Sequence, residues 1–91
     1  MGQKEKIIAQ IRQNPQKVTF STLEKLLTWY QFDKRPGKGS HFIFKRRTAS
    51  RTFRFTIVKP HGGRKYVSAE AVDEVLQAVD ELEALGLGLQ D

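Results

Sequence analysis

The run Lys38-Gly39-Ser40-His41-Phe42-Ile43-Phe44-Lys45-Arg46-Arg47 sets a histidine at the exit of a glycine turn and at the head of a basic strand. An unperturbed imidazole has a pKa of about 6.5, so it can both take and give a proton near neutral pH. Cations around such a base suit a phosphodiester. In RNA the 2′-hydroxyl beside each phosphate is a built-in nucleophile, and one positioned base can start cleavage with neither metal nor cofactor. His41 is the candidate catalytic residue; the plain alternative is a strand histidine that packs or is solvated. Lys38, Lys45, Arg47 and Arg54 are candidates to bind RNA and offset charge on the reacting phosphorus. Gly37 and Gly39 permit dihedrals and close approaches that a side chain blocks, or they only form a turn. Ser40 either contacts the scissile group or caps the turn. His61 is the other histidine in the chain and the candidate second acid or base. Its loop, Pro60-His61-Gly62-Gly63-Arg64-Lys65, either holds phosphate through backbone amides with Arg64 and Lys65 or merely reverses the chain.

Charge sharpens the reading. The net +6 conceals a division: all 16 Lys and Arg fall within residues 1–65 with only three acids, a net of +13, while residues 66–91 carry seven acids and no Lys or Arg, a net of −7. So basic a block is the footprint of a polyanion partner, because each neutralised phosphate releases condensed counterions. A solvated basic surface is the alternative. The chain has no cysteine, and its two histidines lie twenty positions apart, a poor zinc set, so neither disulfide, metal nor cofactor is expected. With no apolar run long enough for a membrane span or secretion signal, a soluble cytoplasmic protein is expected.

The elements that must hold these residues follow from periodicity. Ile7, Ile8 and Ile11 recur at helical spacing in a lead helix over 4–13, stopped by Asn14-Pro15. Ser21-Thr22-Leu23-Glu24 has the form of a capping box, and the helix it opens buries Leu23, Leu26, Leu27 and Tyr30. Trp29 falls off that face and receives no assignment. Alternation then predicts strands near 32–36, 40–47 and 52–59, with a hairpin turn at Thr48-Ala49-Ser50. Ser68 caps a last helix with Val72, Val75, Leu76, Val79 and Leu82 on one side, ended by Gly86. The predicted fold is α+β: a three-stranded antiparallel sheet with helices on one face and the other face open. Phe42 and Phe44 should pair with Phe53, Phe55 and Ile57 under the helices; base stacking on an open sheet is their alternative use. His41 then points outward with Lys45, Arg47 and Arg54. Residues 1–91 read as one domain: lead helix and linker over 1–17, core over 18–85, tail over 86–91.

Together these residues resemble the HicA family of toxin proteins, the RNA-cleaving members of bacterial and archaeal toxin–antitoxin pairs. The likeness runs from Val18 to Leu82 through Leu23-Glu24-Lys25-Leu26-Leu27, Phe32, Gly39-Ser40-His41-Phe42-Ile43-Phe44 and Pro60-His61-Gly62-Gly63-Arg64-Lys65. It implies a double-stranded-RNA-binding-like α-β-β-β-α sandwich, to which the lead helix is an addition. It further implies endoribonuclease activity on mRNA with His41 as catalytic residue, and inhibition by a HicB-type antitoxin. Ordinary duplex-binding modules of that fold place lysines at the start of the last helix. Here Ala69-Glu70-Ala71-Val72-Asp73-Glu74 is acidic, which argues against a plain duplex reader. Two other classes remain in view: a non-catalytic RNA- or DNA-binding module, and a protein-interaction domain.

Overall fold

A computed structural model describes residues 2–88. Its order is α1 (Gln3–Gln13), α2 (Phe20–Trp29), β1 (Asp33–Pro36), β2 (His41–Arg47), β3 (Thr52–Val58) and α3 (Ala69–Ala84). The fold is α+β, with the strands in one open antiparallel sheet of order β1-β2-β3. Residues 89–91 of the expected tail lie outside the described residues.

Period-two alternation divides the sheet into two faces. Phe44, Phe53 and Ile57 are buried in one cluster with Leu23, Leu26, Leu27 and Tyr30 of the α2 segment and Val72, Val75, Val79 and Leu82 of α3. Phe42 and Phe55 pack at its border. Phe42 lies 5.3 Å from the Phe20 ring, which places it with the core and not on an open stacking surface. The lead helix is part of this core: Ile8 and Ile11 are buried, and Arg12 Nη2 donates to Asp80 Oδ1 at 2.7 Å. It also accounts for Trp29, whose half-buried ring faces the Lys4 ammonium at 5.7 Å.

The α2 start differs from the expected capping box. Thr19, not Ser21, is the N-cap, accepting from Thr22 N–H at 3.2 Å. Packing decides this, because starting the helix at Phe20 buries that ring against Phe42 and Phe44. The ends of α2 and α3 share one geometry. Gln31 N–H donates to Thr28 and Phe32 N–H to Leu27, while Gly86 N–H donates to Glu83 and Leu87 N–H to Leu82. Both are Schellman closures, in which the residue after the C-cap must be left-handed. Gly86 takes φ 76° freely; Gln31 takes φ 65° with a side chain attached. Phe32, expected in the first strand, is instead buried at this closure.

Candidate nucleic-acid interface

The turn into β2 positions His41. Gly37 N–H donates to His41 O at 2.8 Å, and His41 N–H donates to Lys38 O at 3.0 Å across Gly39, whose φ is 57°. A Cβ on Gly37 would stand 3.0 Å from that same carbonyl oxygen, a tight contact that glycine avoids, and Gly39 serves through its left-handed dihedral. The His41 ring is tied to the same loop, Nδ1 lying 3.0 Å from Lys38 O. A carbonyl only accepts, so Nδ1 carries the proton and, in the neutral ring, Nε2 holds the free lone pair. The side chain is exposed at one end of the open face.

Two backbone bonds fix the hydrogen-bonding phase of β2 and β3. Thr48 N–H donates to Arg51 O at 2.9 Å, and Lys59 N–H donates to Ser40 O at 2.8 Å. Alternating from these, the partners 46/53, 44/55 and 42/57 exchange ladder bonds, and 45/54, 43/56 and 41/58 do not. Side chains stand closest in the latter class. On the open face, then, Lys45 directly opposes Arg54, and His41 directly opposes Val58. On β1, Asp33 aligns with Lys45 and Arg35 with Ile43, which adds Arg35 to this face. Sequence reading missed Arg35, although the alternation of β1 carries the signal.

The register corrects one expectation. Lys45 lies four residues along the strand from His41, about 13 Å at 3.3 Å per residue, and Arg47 about 20 Å. Arg54, opposite Lys45, is as distant. That spacing suits these three to phosphates further along a bound strand than the one at His41. At the His41 end of the sheet lie Lys38, in the turn that holds the ring, Arg35, aligned with Ile43 on the neighbouring strand, and, in the loop leaving β3, Arg64, which shares a groove with Val58. Ser40 is half-buried and engaged through its carbonyl. His61 lies in that loop at the same end of the sheet, exposed, beside Val58, Pro60 and Arg64 in an open groove. Lys65 is exposed beyond it.

Charge is sorted by face. The three ion pairs among the described residues are Arg12–Asp80, Lys34–Glu24 and Arg51–Glu81, each tying a basic element to a helix. Arg46, although in the basic run, turns toward the helical side and donates to Tyr30 O at 2.6 Å. Acidic α3 thus neutralises much of the helical side; Glu83 also accepts from the Tyr30 hydroxyl at 2.8 Å. On the open face Arg35, Lys45, Arg47 and Arg54 form no ion pair or side-chain hydrogen bond among the described residues. No three His, Cys, Asp or Glu side chains among the described residues converge at metal-binding spacing, and no described helix is long and apolar enough to cross a membrane.

Comparison with models of known families, with curated proteins and with solved structures returned no match.

Proposed function

We propose that this chain is a metal-independent endoribonuclease of the HicA toxin type, acting on single-stranded mRNA in the cytoplasm. In this reading its β1–β3 and flanking helices form the double-stranded-RNA-binding-like arrangement, with α1 added. The observation that carries the reading is the His41 ring: exposed, held through Nδ1, its Nε2 lone pair available at the end of a predominantly basic face.

In the proposed reaction Nε2 removes the proton from a ribose 2′-hydroxyl, whose oxygen forms a bond to the adjacent phosphorus. The P–O5′ bond breaks, leaving a 2′,3′-cyclic phosphate on one fragment and, once O5′ is protonated, a 5′-hydroxyl on the other. His61 is the candidate proton donor to O5′. In this reading Lys38, Arg35 and Arg64 offset charge at phosphorus, and Lys45, Arg47 and Arg54 hold flanking phosphates. A HicB-type antitoxin would act by covering the His41 end of this face, where the RNA must enter.

Wild type and His41→Ala are incubated with labelled single-stranded RNA and a chelator. The expected result is cleavage by wild type with a cyclic-phosphate end, loss of cleavage in the variant, and RNA binding retained by both. Binding without cleavage in either protein would replace the enzyme with a binding module. Affinity that is absent or independent of salt would leave only a protein-interaction domain.

A further inference from the structure

Tyr66 is an aromatic side chain that the core does not absorb. The residue is 43% exposed, and its ring stacks on no other ring and carries no cation over its face among the described residues. Its backbone, by contrast, is pinned. Tyr66 bridges Thr19, and the next residue, buried Val67, donates its N–H to Val18 O at 2.9 Å. With exposed Val58 and with Pro60 in one groove, Tyr66 belongs to a small contiguous apolar patch rather than standing alone.

The ring borders an open groove of about 330 Å³ whose walls include Val58, Pro60, Thr56 and Arg64. Three properties make this groove specific. Val58, itself 47% exposed, is the cross-strand neighbour of His41 in a pair without ladder bonds, so the groove begins one side chain from the imidazole. Its single charged wall residue is a cation, Arg64. The third property is the β3 edge. Because 41/58 and 43/56 are pairs without ladder bonds, the N–H and C=O groups of Thr56 and Val58 point away from β2, toward the free edge of the sheet, and no other backbone group among the described residues engages them. Unpaired backbone donors and acceptors of this kind seek partners.

We propose that this groove is a nucleobase site: it holds the base of a nucleotide flanking the scissile phosphate, stacked on Tyr66, its hydrogen-bonding edge against the Thr56–Val58 backbone and its phosphate on Arg64. Aromatic stacking beside a cation is the common means of gripping single-stranded nucleic acid. The backbone donors and acceptors add base preference that stacking alone lacks. This inference rests on the reading of the open face as an RNA surface and makes Tyr66 a positioning residue within it.

The test uses binding, so that it stands apart from catalysis. In the His41→Ala background, Tyr66→Ala, Tyr66→Phe and Arg64→Ala are titrated against single-stranded RNAs of mixed sequence, each carrying 2-aminopurine at one successive position, at several salt concentrations. Tyr66→Ala should weaken binding roughly ten-fold or more with an unchanged salt slope, since it removes a stack and no phosphate contact. Tyr66→Phe should bind as the parent does. Stacking should quench 2-aminopurine at one position in the parent and in Tyr66→Phe, and not in Tyr66→Ala. Arg64→Ala should reduce the salt slope by about 0.7. Parent-like affinity and quenching in Tyr66→Ala would overturn the base site while leaving the RNA surface intact. Absence of RNA binding by the parent would overturn both, and would point to strand addition by a protein at the same β3 edge.

Discussion

The Lys45–Arg54 pair allows stability and RNA binding to be set against each other. The two residues oppose each other on the open face in the close class of strand pair, and no acid among the described residues is bonded to either. Asp33 aligns with Lys45, and Glu74 lines a groove with Arg54, so the bare Lys45–Arg54 repulsion is an upper value. Cβ atoms in such pairs stand about 4.5–5.5 Å apart. With the side chains splayed to about 8 Å, the repulsion at the dielectric of water is about 0.5 kcal/mol. One Debye length at 0.15 M salt is about 8 Å, which reduces it to about 0.2 kcal/mol. Arg54→Thr removes this repulsion and places a β-branched residue in an exposed strand position. At 4–8 °C per kcal/mol for a domain of this size, the electrostatic part raises Tm by about 2–4 °C at low salt and about 1–2 °C at 0.15 M. The strand-propensity part is independent of salt, so melts at the two concentrations separate them. Lys45→Thr added to Arg54→Thr should bring little more, because the repelling pair is already broken. The same substitution should weaken RNA binding and reduce its salt slope by about 0.7. A stability gain that does not change with salt, or RNA affinity untouched by the loss of Arg54, would refute the view that these cations are held together for a polyanion.

Other outcomes follow from single features of the fold. Gln31→Gly should stabilise the protein by about 1 kcal/mol by relieving the left-handed backbone at the α2 closure, while Gly86→Ala should cost about as much at the α3 closure; thermal melts of both check the pair. Burial, and then the hydrogen bond to Glu83, hold the Tyr30 phenol well above its usual pKa of 10.0. The unfolded chain therefore releases this proton first, so the stability concerned is fully present below about pH 10 and declines as pH rises beyond it. Tyr30→Phe should cost about 1 kcal/mol at pH 7 and show a flatter alkaline decline, read as Tm against pH. Gly37→Ala forces the turn away from the His41 carbonyl by a few tenths of an ångström; RNA cleavage should fall about ten-fold with a smaller change in Tm, and full activity would show that His41 is not positioned by this turn.

Much of this was legible along the chain. The faces of Phe42 and Phe44 against His41 and Lys45 follow from alternation, and the Ser68 cap and the Gly86 stop are local backbone chemistry, completed within a turn of helix. The division of charge into a basic body and an acidic last helix is equally plain. Local rules failed where burial competed: Thr19 caps α2 because Phe20 needs the core, and Trp29 lacked an assignment until α1 lay across it.

Only tertiary structure decided which of sixteen cations remain available, and for what. Arg12, Lys34, Arg46 and Arg51 resemble Lys45 and Arg54 in sequence, yet they are engaged by partners 10 to 68 positions away. Strand register separated Lys45 and Arg54 from His41, brought Arg35 onto its face, and set Val58 beside it with the Tyr66 groove beyond. Periodicity reports which way a side chain faces because direction is a property of neighbouring dihedrals. What that side chain meets is settled by how distant segments share one buried core, which a linear pattern does not contain.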